Sequence, residues 1–214
     1  MENTIFPQVV DPSPLRMEPL IVAGDPNPSN PLQTDSPAQR IDPNLPTSSY
    51  AGVGSLTITG PGGSEFLCSG TAISPRHVLT AAHCLDIEGE DGIIDVSPEA
   101  VTFNLNAQGA SAPSLPITAS ALNVFDIGID RYAGFLNSIQ NDLAIVTLSE
   151  PLPQNIPVYE LSREPLSLNS LITLVGYGTT GNGVARHFQG TSHPTVKRVG
   201  QNRVDDAQFF AASV

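Results

Sequence analysis

The sequence predicts an all-β protein. Three observations carry this. Gly and Pro account for 18 and 20 of the 214 residues, a turn-rich composition that suits many short strands better than helices. After Tyr50, short runs of aliphatic and β-branched residues alternate with clusters of Gly, Pro, Asn and Ser. No stretch keeps its apolar residues at a 3.6-residue period, and no internal repeat stands out.

In chain order the strands are expected at Val53–Thr59, Glu65–Ile73, His77–Ala81, Val101–Leu105, Ile117–Phe125, Leu143–Leu148, Leu171–Gly176 and Thr195–Val204. Breakers at Gly60–Gly63, Ser74–Arg76 and Gly178–Gly183 separate them. Such spacing favours a barrel or a sandwich. The first 50 residues differ in texture: they hold ten of the prolines and a single glycine, Gly24. Pro removes backbone donors and blocks both regular elements. Residues 1–40 are therefore read as a proline-rich leader or propeptide without regular structure.

Charge narrows the function. Lys and Arg number 9 against 21 Asp and Glu, a net charge of −12, and Lys197 is the sole lysine. Nothing here can form the basic patch that binding to phosphate backbones requires, so nucleic acid is not an expected partner. No apolar run approaches the roughly 18 residues that span a bilayer. Residues 1–30 show no apolar core behind a basic start, so no secretory signal is read there. Hydrophobic residues are 40% of the chain and charged residues 14%, enough apolar content to bury a core.

The most informative stretch runs from Cys68 to Cys84. It reads as two short strands around a Ser74-Pro75-Arg76 turn, with a cysteine near the outer end of each half. A hairpin of this size can bring the two cysteines within bonding distance, and closing the loop would stabilise by roughly 3 kcal/mol; two buried free thiols are the alternative. His83 follows two small alanines that leave room beside its imidazole. An imidazole can take up a proton at neutral pH and return it later. Asp142 begins the apolar run Leu143–Leu148. A carboxylate at the mouth of a buried strand needs a donor, and an imidazole Nδ1–H is a suitable one.

With these residues on the page, Thr80-Ala81-Ala82-His83-Cys84 resembles the histidine motif of the trypsin/chymotrypsin-like serine peptidases. Asn141-Asp142-Leu143-Ala144 resembles their aspartate motif. Gly176-Tyr177-Gly178 resembles their Gly-Trp-Gly, with Tyr for Trp, and the order His before Asp fits as well. The resemblance covers about residues 41–205. It implies a chymotrypsin-like double β-barrel, with an N-terminal barrel over 41–150 and a partial second barrel over 151–214. It also implies a Cys68–Cys84 disulfide, His83 as general base, Asp142 as its orienting acid, and a protein or peptide substrate. A monomer working outside the cytoplasm, extracellular or periplasmic, is expected.

Departures from the family pattern accompany the match. The Gly-Asp-Ser-Gly-Gly string that carries the family's nucleophile does not occur, and the serine is expected beyond residue 214. Ser192, in Gly190-Thr191-Ser192-His193-Pro194, is the nearest imitation. Without the nucleophile, a catalytically inactive binding domain is the competing reading. Arg40-Ile41 lies where the family's activation cleavage would fall, but Asp42-Pro43 follows it in place of Val-Gly-Gly; an ordinary linker arginine is the alternative. No cofactor is required. Asp86, Glu88, Glu90, Asp91 and Asp95 can offer hard oxygen ligands to calcium, against the alternative of a solvated acidic turn. His77 is read as a packed strand residue, and His187 and His193 as surface loop residues.

Overall fold

A computed structural model describes residues 40–204, except for 89–92, 110–113, 126–127, 130–138, 141, 165, 183–185 and 189–192. The architecture is all-β. Twelve strands are described: β1 (Val53–Thr59), β2 (Glu65–Ser74), β3 (His77–Thr80), β4 (Val101–Leu105), β5 (Leu115–Phe125), β6 (Gly128–Ile129), β7 (Ile139–Gln140), β8 (Leu143–Leu148), β9 (Leu171–Gly176), β10 (Thr180–Asn182), β11 (Arg186–Phe188) and β12 (Arg198–Arg203). Six of them close into an antiparallel barrel in the order β1-β2-β3-β8-β5-β4.

The barrel closes because alternate residues of each strand are apolar and point inward. Leu56 and Ile58 of β1, Val101, Phe103 and Leu105 of β4, Ile117 and Ala119 of β5, and Ala144, Val146 and Leu148 of β8 meet in one core. This is the period of two that a half-buried strand requires. Bulges between Ala72 and Ser74 and between Ala119 and Ala121 supply the local bend and extra twist that closure needs. Gly54 marks a close approach within the barrel: a Cβ there would lie 2.5 Å from the Phe103 ring. Among the described residues no helix is long and apolar enough to cross a membrane.

The strands predicted from sequence match β1, β4, β8 and β9 at both ends and the others to within a few residues. The Gly178–Gly183 segment, read as a breaker, instead contains β10, which pairs with β11. His187 consequently sits in a strand and not in a loop. His77 is also corrected: it lies in β3 but faces out, its ring held by Ser74 Oγ at 2.7 Å, because Val78 takes the inward position.

Beyond the barrel, β9 and β12 form an antiparallel pair, joined to the barrel through polar contacts. Their centre is Lys197, which is fully buried. Its ammonium donates to the carbonyls of Tyr50, Val53 and Asn106 at 2.8, 3.2 and 3.4 Å and lies 3.5 Å from Asp42 Oδ1. Asp42 is buried too, and its carboxylate accepts from the Asn44 amide and the Ser48 hydroxyl. Burial pushes the Lys197 pKa down, and the neighbouring Asp42 pulls it partly back. Asp42 N–H donates to the Lys197 carbonyl, and Ile41 bridges to Arg198, so main chain and side chain fasten the same two segments.

A buried ion pair that loses one partner leaves an uncompensated charge in a dry place. Lys197→Ala should therefore cost about 3–5 kcal/mol in urea unfolding. The double replacement Asp42→Leu with Lys197→Met should cost clearly less. A single-variant loss under about 1 kcal/mol would put this pair in the class of exposed ion pairs.

Candidate active site

His83 and Asp142 lie far apart in sequence, and the barrel register brings them together. Strand β3 ends at Thr80 and β8 starts at Leu143, and the two run antiparallel with Thr80 opposite Ala144. The residues just past one strand and just before the other thus meet at one rim of the barrel. Between Thr80 and His83 the chain makes a short 3-10 turn, Ala82–Cys84, closed by the Leu85 and Asp86 amides on the Ala82 carbonyl. Ala82 and Cys84 face the core and His83 faces out. Small residues before the histidine allow the turn to sit against the barrel.

Asp142 grips His83 at two points. Its Oδ2 lies 2.7 Å from the ring Nδ1, and its Oδ1 accepts the His83 main-chain N–H at 2.9 Å. The imidazole is about half exposed (49%) and the carboxylate less so (24%). A carboxylate on Nδ1 selects the tautomer that carries its proton there and leaves the Nε2 lone pair toward solvent. The backbone contact fixes the carboxylate itself, so the ring is aimed by a group that cannot swing away. Among the described residues no serine hydroxyl hydrogen-bonds to His83.

Cys84, next to His83, forms a disulfide with Cys68 of β2, with the Cα atoms 6.4 Å apart. The bridge ties the histidine turn to the strand behind it. Ser69, the residue after Cys68, carries this anchorage into the second half of the chain. Its Oγ accepts from the Tyr177 amide at 2.8 Å and contacts the Tyr177 carbonyl at 3.4 Å, while its own carbonyl accepts from Thr80 Oγ1 at 2.9 Å. A side chain at Gly176 would collide with that hydroxyl at 2.7 Å. The Tyr177 phenol is partly buried, accepts from Asn106 Nδ2 at 2.9 Å and donates to the Val53 carbonyl at 3.4 Å; desolvation drives its pKa far upward. Neither Ser69 nor Asn106 was singled out from sequence. A lone Ser or Asn in a β-rich run carries no signal of a partner a hundred residues away.

The remaining candidates are dispersed. Asp86 is buried beside the histidine turn, which departs from a solvated acidic turn at that residue, whereas Glu88 is exposed. The Asp95 carboxylate is engaged by the Ile87 and Glu88 amides at 2.7 and 2.6 Å, while Glu90 and Asp91 fall outside the described residues. Ile41 is exposed and Arg40 is the first described residue. His193 is exposed, its Nδ1 contacting Thr195, and Ser192 lies outside the described residues. A recess of about 300 Å³ opens beside the histidine, lined by Phe66, Leu67, Cys68, His83, Cys84, Asp86 and Ile87.

The family described as Trypsin matches residues 45–213. Curated relatives include trypsin Blo t 3 of Blomia tropicalis, 27% identical over 57% of this chain and 42% of its own length. Another is the serine protease grass of Drosophila melanogaster, 28% identical over 57% of this chain and 34% of its own. Brachyurin of Leptuca pugilator is 30% identical over 53% of this chain and 45% of its own. The match thus spans less than half the length of each relative. Among solved structures, HL collagenase superposes with a TM-score of 0.50 at 18% identity, covering 73% of this chain and 59% of that one. A scabies mite inactivated protease paralogue, S-I1, superposes at 0.54 and 20%, covering 78% and 66%. These two likenesses concern the fold.

Replacing both Cys68 and Cys84 by Ser should lower the unfolding free energy by about 3 kcal/mol, the entropy that closing such a loop withholds from the unfolded chain. Chemical denaturation of the two forms measures it, and equal midpoints would overturn it.

Proposed function

This chain belongs to the trypsin family, and we propose on that premise that it carries the general base and the orienting acid of a serine endopeptidase. His83 is the base. Its Nε2 takes the proton of a serine hydroxyl as that oxygen attacks the peptide carbonyl, then returns it to the leaving amine. Asp142 stays ionised throughout, holds Nδ1–H and stabilises the imidazolium formed on the way. The two-point grip of Asp142 on the ring and amide of His83 is the observation that carries this reading. The nucleophile is assigned to a serine beyond Val214, since the Gly-Asp-Ser-Gly-Gly string that carries it in the family does not occur in this sequence. The Cys68–Cys84 disulfide supports a working place in an oxidising compartment, extracellular or periplasmic.

An inactive, protease-like binding domain is the second reading, favoured by the absence of that string from the sequence. A fluorescent organophosphonate separates the two, because it labels only an activated serine. The full natural protein should become covalently labelled, and His83→Ala should abolish the labelling. Asp142→Asn should lower kcat by about 10⁴-fold, the cost of presenting the wrong tautomer. A natural protein that stays unlabelled while remaining folded decides for the binding reading.

A further inference from the structure

We propose that reduction of the Cys68–Cys84 disulfide converts the histidine turn into a binding site for a zinc-class divalent cation, held by both cysteine sulfurs and the His83 imidazole. The consequence for catalysis rests on the proposed role of His83 as base; the metal site itself does not. Cys68, Cys84 and His83 each offer one ligand-capable atom, and these atoms all lie within 4.8 Å of one another. A tetrahedral zinc site with sulfur ligands at about 2.3 Å and nitrogen near 2.0 Å places its sulfurs about 3.8 Å apart, and sulfur and nitrogen about 3.5 Å apart. The cysteine Cα separation of 6.4 Å accommodates that spacing by side-chain rotation once the S–S bond is open.

The surroundings suit such a cation. Cys68 is fixed in a central barrel strand and Cys84 in a tight, buried turn, so two ligands are held in place before the metal arrives. His83 is half exposed and its ring can turn to complete the set. The adjoining recess of about 300 Å³ leaves room for water as a fourth ligand. Two thiolates and an imidazole prefer zinc-class ions over calcium or magnesium.

The chemistry balances with a dithiol as reductant. Two electrons and two protons pass from the dithiol, which closes to its own disulfide, and Cys68 and Cys84 become thiols. The arriving cation displaces both thiol protons to solvent. Coordination through Nε2 occupies the lone pair that would accept the serine proton, and coordination through Nδ1 takes the ring from Asp142. Either way the metal-bound form has no free base. The reduced, metal-loaded chain is a silenced form; exchange with a small-molecule disulfide, which takes the two electrons and two protons to become a dithiol, re-forms Cys68–Cys84, releases the cation and restores the imidazole.

Cobalt(II) is the probe. The chain is reduced with dithiothreitol under nitrogen, freed of reductant and titrated with Co²⁺ alone. One ion per reduced chain should bind, with the thiolate-to-cobalt charge-transfer and d–d absorption of a tetrahedral site, while the oxidised chain shows neither. Cys68→Ser with Cys84→Ser should abolish the bands, and His83→Ala should weaken binding at least about tenfold, as much as loss of a supporting outer-shell partner costs. No bands in the reduced chain, or equal affinity in His83→Ala, overturns the site. Should reduction erase the β-sheet circular dichroism, its His83-dependent return on adding Co²⁺ supports the site, and failure to return overturns it. None of these readouts needs hydrolysis, so they fail or succeed separately from the organophosphonate experiment.

Discussion

The joining of the two halves of this molecule depends on one buried ammonium. Lys197 reaches from the segment before β12 into the barrel wall and satisfies its charge on three carbonyls and the Asp42 carboxylate. Those carbonyls belong to Tyr50, Val53 and Asn106, so the entry to β1 and the exit from β4 converge on one nitrogen. Around it the Pro194 carbonyl accepts from Ser55 Oγ and Asn106 Nδ2, and the Thr195 carbonyl from Asn44 Nδ2. The join is polar where the barrel core is apolar. Hydrogen bonds are directional in a way that apolar contact is not, so this arrangement sets orientation as well as attachment.

The His83–Asp142 pair is ordered by a different route. Asp142 and His83 are placed by the antiparallel register of β8 against β3, and a slip of one residue would turn every side chain of a strand to the other face. The inward set of β8, Ala144, Val146 and Leu148, forbids such a slip. Core packing therefore aims the carboxylate. The disulfide and Ser69 hold the other partner from behind.

Much of this was legible in the chain. The barrel strands were marked by short runs of aliphatic and β-branched residues between clusters of Gly, Pro, Asn and Ser, as at Val53–Thr59 and Leu143–Leu148. The Cys68–Cys84 stretch and Asp142 stood out because chemistry-bearing residues sit there among small and apolar neighbours. The short pairs β6–β7 and β10–β11 were not legible, since two or three residues carry no period. His77 misled for a related reason: a strand assignment does not say which face a residue takes. The Asp42–Lys197 pair was beyond reach, because a buried charge in sequence looks the same as an exposed one until the fold brings its partner.

The burial of Lys197 has a practical consequence. As the sole lysine, it is the one side-chain primary amine in the sequence, and in the folded state it sits out of solvent with its hydrogens spent on acceptors. An acylating reagent that needs a free amine then meets little but the chain's α-amino group until the join opens. The rate at which acyl groups appear at position 197 becomes a clock for that opening, in a sequence with no second lysine to add background.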